Sequence, residues 1–278
     1  MRVGRIPYIN CYPIYGAIDR GIVPLNAQLV TGVPSALNDL AARGQVDVSV
    51  VSAVEYARDA GRYLLLPDLA ITSDGPVRSV LLLSRRPAES LAGRTVLLSR
   101  SSMTSAALLR LLFEHVWRCQ PVFAAGDAEI TDLDHLDAEP HDARLVIGDA
   151  ALVLGSHAAP AHESYPYVYD LGLEWKQWTG LPFVFAVWVA QRSAPVREAL
   201  DIHARLIEAR DWGLGHRATL ADQAAAVTGV ARRACADYLS GLDYRLSYAH
   251  LAGLTDFFRR LASAGIVPDG SLSFLPAA

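Results

Sequence analysis

The sequence predicts an α/β protein of two lobes, with a ligand cleft between them and a helical tail at the C-terminus. Three observations carry that expectation. Short apolar, strand-like runs alternate with helix-like segments over most of the chain, the rhythm of mostly parallel α/β sheets. Two strongly apolar runs, Val77–Ser84 and Phe183–Val189, are bounded by breakers (Arg85-Arg86-Pro87 after one, Gly180-Leu181-Pro182 before the other). Runs of that length, rich in aromatic and β-branched residues, read as strands buried on both faces rather than as buried helix. Beyond Pro195 only helical patterning follows. The two runs read as the outgoing and returning crossings between lobes. That reading assigns residues 1–84 and 187–278 to a discontinuous first lobe and 85–186 to an inserted second lobe.

Taken in order, Arg2–Asn10 reads as the first strand, closed by a turn at Cys11-Tyr12-Pro13. Gln28–Thr31 is a short second strand. Pro34-Ser35 starts a helix that stops at Arg43-Gly44, with Pro and Gly at the ends where each is favoured. Val46–Val51 is a third strand, and Ser52 precedes a helix through Glu55 and Tyr56. In the second lobe, Thr95–Leu98 is a strand and Thr104–Trp117 a helix with Leu108, Leu109, Leu112, Phe113 and Val116 at helical spacing. Val122–Ala124, Leu145–Ile147 and Tyr165–Tyr169 are further strands. Gly126–Arg144, rich in Asp and His, reads as partly surface. The tail comprises helices at Pro195–Trp212, Thr219–Val227, Ala231–Leu239 and Tyr248–Ala264. This outline is that of a type II periplasmic-binding-protein fold, by pattern and analogy.

Bulk properties exclude several function classes. A chain of 278 residues buries a large core, and 52% hydrophobic against 19% charged residues is a globular balance. A formal charge of −4 offers no basic face, so nucleic acid is not an expected partner. No apolar stretch reaches membrane-spanning length, and no basic-then-apolar leader opens the sequence; a cytoplasmic, non-membrane protein is expected. Cys11, Cys119 and Cys235 are far apart and odd in number, which fits a reducing compartment rather than a disulfide framework.

In open α/β sheets, ligands gather at the carboxyl ends of strands. Asn10, Ser52 and Ser79 fall at or near such ends, and Ser101-Ser102-Met103-Thr104-Ser105 joins a strand to a helix. Hydroxyls and free N–H groups at a helix start form an anion site; ordinary capping by Ser102 or Thr104 accounts for the same residues. Asn10 equally suits a turn, and Ser79 a hydroxyl bonded to neighbouring backbone. Arg78 suits a substrate carboxylate, though a salt-bridged hinge role is favoured. Cys11 beside Asn10 is a weak nucleophile candidate for want of a placed base. Asp132-Leu133-Asp134-His135, His141-Asp142, His157 and His162-Glu163 match no standard metal-ligand spacing and read as solvated loop. The aromatic group Trp175, Trp178, Phe183, Phe185 and Trp188 reads as core, with Trp178 a candidate for the cleft edge.

With these residues in hand, the chain resembles the chorismate dehydratases of the futalosine route to menaquinone, nearly end to end. The resemblance rests on R-I-x-Y-x-N at Arg5–Asn10, G-V-P-S-x-L-N at Gly32–Asn38 and V-D-V-S-x-x-S-x-x-E-Y at Val46–Tyr56. It continues through Ser79, Thr104-Ser105 before Ala-Leu-Leu, I-G-D at Ile147–Asp149 and W-x-x-W-T-G-L-P-F-V-F-A-V-W at Trp175–Trp188. Order and spacing together are more specific than any single motif. A sister family of the same pathway, which cleaves dehypoxanthine futalosine, shares the fold and several motifs. It is expected to place a His base where Gly148 stands here, so the resemblance favours the dehydratase.

That resemblance implies loss of water from chorismate without metal or cofactor. It implies catalytic roles for Asn10 and Ser79, and substrate binding by Ser52, Ser102, Met103, Thr104, Ser105, Gly148 and Asp149. The only expected partner is the small-molecule substrate. A non-catalytic small-anion binding module of the same fold is the rival from another class.

Overall fold

The computed structural model describes residues 1–126, 136, 139–156 and 164–276. Its strands form two five-stranded sheets. The first has the order β2 (Gln28–Thr31), β1 (Arg2–Arg5), β3 (Val48–Ser52), β10 (Phe183–Gln191), β4 (Tyr63–Ser73). The second has the order β7 (Val122–Gly126), β6 (Thr95–Ser99), β8 (Ala143–Ile147), β5 (Val80–Ser84), β9 (Tyr167–Asp170). All nine residues of β10 and all five of β5 and β8 are buried, as helices on both faces require of such runs.

The sheets are mixed, which corrects the expectation of mostly parallel pairing. β1 lies parallel to β2 and β3, and β6 parallel to β7 and β8. β10 runs antiparallel to β3 and β4, and β5 antiparallel to β8 and β9. The reversed strands are the two apolar runs that link the sheets. A chain leaving one sheet and returning later enters each at a central position with its direction set by the linker, and local patterning carries no record of that. The expected division at 84 and 187 falls after β5, which pairs in the second sheet, and within β10, which pairs in the first. We propose the connecting segments 74–79 and 180–182 as the lobe boundaries instead.

Four further elements differ from expectation. The first strand ends at Arg5; Ile9–Cys11 is a 3-10 turn leading into α1 (Tyr12–Asp19). Pro13, read as a turn residue, sits in the first helical turn, where its missing N–H costs nothing. β4 was not anticipated: Pro67-Asp68 interrupts its pattern, and Asp68 sits at φ +52° where pairing with β10 shifts register. α5 (Gly148–Ser156) and α6 (Leu171–Thr179) were also missed. α2 (Pro34–Ala42), α3 (Ala53–Arg58) and α4 (Met103–His115) fall close to their expected spans.

The tail comprises α7 (Val196–Gly215), α8 (Arg217–Thr228), α9 (Arg232–Gly241) and α10 (Tyr248–Ser263). α7 packs on α1, with Gly213 set so close to Pro13 that a Cβ would lie 2.1 Å from the Pro13 carbonyl oxygen. α10 buries Leu254 and Phe257 toward β10. Its start is a capping box between Ser247 and His250. The core reading of the aromatic group holds for Trp175, Phe183 and Trp188, each fully buried. Phe183 meets Trp175, Phe185 and Phe257 edge to face.

Candidate functional site

A cleft between the two sheets encloses about 560 Å3 of empty space, part of it open to solvent. Its wall is made by Ile6, Tyr8 and Asn10 after β1, Pro34 of α2, Ser52 at the end of β3, Ile71 of β4, Val77, Ser79 and Val80 entering β5, Ser102 and Ser105 at α4, Ile147-Gly148 where β8 ends, and Phe185-Ala186 of β10. Apart from Ile71, Phe185 and Ala186, these positions lie at strand ends or in the connections next to them. Six of the nine sequence-predicted site residues line it: Asn10, Ser52, Ser79, Ser102, Ser105 and Gly148. Met103, Thr104 and Asp149 lie beside it and face the protein.

Asn10 sits in the 3-10 turn, not at a strand end. Its side chain makes no hydrogen bond to the described residues, and its Oδ1 is buried without a partner. Buried polar atoms are almost always satisfied, so this orphan on the cleft wall is an acceptor left open by the protein itself. Ser79, 3% exposed, has a hydroxyl that donates a marginal 3.5 Å bond to the Val77 carbonyl and faces the buried Tyr238 hydroxyl. Ser52 is braced from behind by Asn38: the Ser52 amide donates to Asn38 Oδ1 at 3.0 Å, and Asn38 Nδ2 donates to Ser52 Oγ at 2.9 Å.

At α4, Ser102 is the N-cap: its Oγ accepts from the Ser105 amide at 3.2 Å and donates to Ser105 Oγ at 2.8 Å. Capping therefore accounts for Ser102, and both hydroxyls still border the cleft. Thr104 does not cap. Its Oγ1 accepts from the Val54 amide of α3 at 3.2 Å, a bond between elements of the two sheets. Met103 Sδ accepts from Asn38 Nδ2 at 3.2 Å across the same boundary. Asp149 makes a third such contact, its carboxylate accepting from the Ile9 amide at 3.1 and 3.4 Å. These three residues fasten the two sides of the cleft together.

Gly148 has φ +64°, and a Cβ there would lie 3.0 Å from two ring carbons of Tyr8. Its amide donates to the Ser79 carbonyl at 2.8 Å. A larger residue at this position is opposed twice, by the left-handed backbone and by the Tyr8 ring. Tyr8 and Asn38 are the contributors that residue-by-residue reading did not single out. Both stand inside motifs, but braces and walls carry no local signal.

Several expectations are corrected. Arg78 directs its side chain into an outer groove with Asp170 and Asp237, not into the cleft, and among the described residues it makes no ion pair. Trp178 lies away from the cleft, stacked between His115 and the Arg260 guanidinium; Phe185 takes the wall instead. Burial pushes the Cys11 thiol far above its ordinary value, with the Asp149 charge adding to the effect, so no thiolate is available there. His141 is buried, not on a solvated loop: its Nδ1 pairs with the Glu139 carbonyl at 2.6 Å and its Nε2 with Tyr165 Oη at 2.7 Å. Asp132–His135, His157 and His162-Glu163 lie outside the described residues. Among the described residues no three His, Cys, Asp or Glu side chains converge as metal ligands, and no helix is long and apolar enough to cross a membrane.

Residues 1–263 match a family model described as menaquinone biosynthesis. A chorismate dehydratase of Thermus thermophilus is 33% identical over 272 residues, covering 92% of this chain and 95% of that protein. A chorismate dehydratase of Campylobacter jejuni is 29% identical over 191 residues, covering 67% and 66%. Among solved structures, a protein from Archaeoglobus fulgidus superposes with a TM-score of 0.72 at 19% identity, over 96% of this chain and 98% of that one. The aliphatic sulphonate binding protein SsuA of Escherichia coli gives 0.61 at 15%, over 97% and 94%. At those identities the structures speak to fold alone: two lobes of periplasmic-binding-protein type.

Proposed function

This chain belongs to the menaquinone biosynthesis family, and from that premise we propose that it is a chorismate dehydratase, a carbon–oxygen lyase yielding 3-[(1-carboxyvinyl)oxy]benzoate. We place it in the cytoplasm, on the futalosine route, acting on a small molecule without cofactor, nucleic acid or membrane partner. The observation that carries the reading is the convergence of Asn10, Ser52, Ser79, Ser102 and Ser105 on one cleft, in a chain whose relatives of that name align over most of its length.

Chorismate carries two carboxylates, an enolpyruvyl ether and a hydroxyl on neighbouring ring carbons, and a ring one water short of aromatic. The C–H bond beside the ether breaks, its electron pair forms the new ring π bond, and the neighbouring C–O bond breaks to release hydroxide. Hydroxide and the abstracted proton leave as water. Aromatisation supplies the driving force, and the protein's task is orientation. Ser102, Ser105 and Ser52 hold carboxylates, helped by the positive end of the α4 dipole. Asn10 donates from Nδ2, and Ser79 from its hydroxyl, to the departing oxygen as negative charge develops on it.

None of the described cleft-wall residues is Asp, Glu, His or Lys. Asp149, next to the wall residue Gly148, accepts from the Ile9 amide with its carboxylate. We therefore assign the ring proton to one of the substrate's own carboxylates. Gly148 supports this reading over the sister lyase, because a His there meets both the φ of +64° and the Tyr8 ring.

The test is incubation of purified protein with chorismate alone and chromatography of the products against a no-enzyme control. Catalytic appearance of the enolpyruvyl benzoate is expected. No turnover, followed by cleavage of dehypoxanthine futalosine, replaces this reading with the sister lyase; binding without turnover of either leaves a small-anion binding module.

A further inference from the structure

The segment that carries Ser79 into the cleft leaves β4 at Ser73 and enters β5 at Val80. Midway, Arg78 holds φ +62°, a left-handed conformation that a bulky non-glycine residue rarely adopts. The Arg78 side chain does not explain it, since it is exposed in the outer groove and unpaired among the described residues.

Asp170 closes on this turn from the end of β9. Its Oδ2 accepts from the Arg78 amide at 2.6 Å, and its Oδ1 accepts from the Val77 amide at 3.0 Å. The same Oδ1 caps α6 by accepting from the Gly172 and Leu173 amides at 3.0 and 3.1 Å. Capping alone needs only the last two bonds. The first two reach more than 90 positions along the chain to the crossing segment. On the far side, the Ser79 carbonyl accepts from the Gly148 amide at 2.8 Å. Ser79 is thus held by backbone before and after it, while its own hydroxyl makes a 3.5 Å contact to the Val77 carbonyl and faces the buried Tyr238 hydroxyl. The position of the Ser79 backbone, from which that hydroxyl projects, is fixed by the turn, and the turn is held by Asp170.

We infer that Asp170 is a positioning residue for the reaction: its carboxylate locks the Val77–Arg78 turn in the left-handed form that presents Ser79 to the cleft. The inference rests on the proposed role of Ser79 in chorismate dehydration. It adds a residue on the far edge of the second sheet that neither touches the cleft nor belongs to the motifs.

Asp170→Asn is the direct test, because asparagine caps a helix as well as aspartate while its NH2 group, placed at Oδ2, cannot accept from Arg78. The expected result is a kcat at least about tenfold lower, with KM for chorismate within about threefold and an unchanged thermal midpoint, because the lost contact orients a reacting group. Adding Arg78→Gly, which makes the positive φ cost-free, should restore much of kcat. In a Ser79→Ala background Asp170→Asn should have little further effect, since the two changes act through one hydroxyl. An equal further drop in that background, or a change in KM and thermal midpoint with kcat intact, overturns the inference. Should wild-type protein fail to turn over chorismate, the reading of the cleft is what fails. The positioning claim is then read from crystal structures: Ser79 Oγ must leave the cleft wall in Asp170→Asn and return with Arg78→Gly, and an unmoved Ser79 refutes it.

Discussion

Gly148→Ala measures how tightly the cleft wall is built. The substitution places a methyl group at φ +64°, 3.0 Å from Tyr8 Cδ2 and Cε2 and 3.3 Å from Cζ. The left-handed backbone alone costs a non-glycine residue about 1–2 kcal/mol. Overpacking against the ring adds roughly 1–3 kcal/mol, since Tyr8 is largely buried and has little room to retreat. Gly229→Ala is the matched control: it caps α8 at φ +72° with nothing within 4 Å of the new Cβ, so only the backbone cost applies. Equilibrium urea unfolding of both variants should place Gly148→Ala about 1–3 kcal/mol below Gly229→Ala. kcat/KM should fall in Gly148→Ala alone, because Tyr8 and Ser79 both shift. Trimming the ring with Tyr8→Leu in the Gly148→Ala background should recover part of the stability. Equal losses for the two alanine variants would refute the claim that Tyr8 packs on Gly148, and with it the steric argument against a His at this position.

Three other expectations follow from the same geometry. Thr104→Val strands the buried Val54 amide and should destabilise by about 1–3 kcal/mol in urea unfolding, whereas Thr104→Ser should not; equal losses would mean that the methyl, not the hydroxyl, matters. Burial raises the Glu55 carboxyl pKa, partly offset by the Tyr63 hydroxyl and Arg58. The stability tied to that proton is present below the ordinary value of 4.5 and lost as pH rises through the folded value. Glu55→Gln should therefore melt above wild type at pH 7 and level with it near pH 4, and a constant gap would contradict the assignment. All three cysteines are buried, and burial raises their pKa values, so a thiol reagent should label native protein slowly and unfolded protein fast; rapid native modification of Cys11 would reopen its exclusion.

The parts of this fold that were legible in sequence are those whose pattern is local. β10 and β5 announce themselves as unbroken apolar runs between breakers, and α4 and α10 as apolar stripes at helical spacing (Leu251, Leu254, Phe258 and Leu261 in α10). Their existence follows from burial, which composition reports directly. What was not legible depends on partners distant in the chain. Strand direction in the two sheets is decided by where the chain re-enters. The start of α1 was hidden because Pro13 serves a first helical turn as well as a bend. β4 was hidden because Asp68 inserts a left-handed residue into it. At the site, Asn10, Ser52, Ser79 and the Ser102–Ser105 pair could be nominated because polar residues at strand ends and helix starts are expected near a ligand. Thr104, Met103 and Asp149 were nominated with them and turn out to fasten the cleft, since each partner — Val54, Asn38, Ile9 — stands on the opposite side. Only the folded chain separates a residue that lines a cleft from one that locks it.

The central claim is that Asn10, an amide with an unpartnered buried oxygen on the cleft wall, serves the departing hydroxyl. Its most direct test compares Asn10→Ala with wild type for both chorismate affinity, by calorimetry, and turnover at saturating chorismate. Loss of a group aimed at developing charge should lower kcat by about 10²–10³-fold and leave the dissociation constant within about threefold, since the serine hydroxyls still hold the carboxylates. Wild-type turnover in Asn10→Ala, or a loss of binding as large as the loss of rate, would contradict the account.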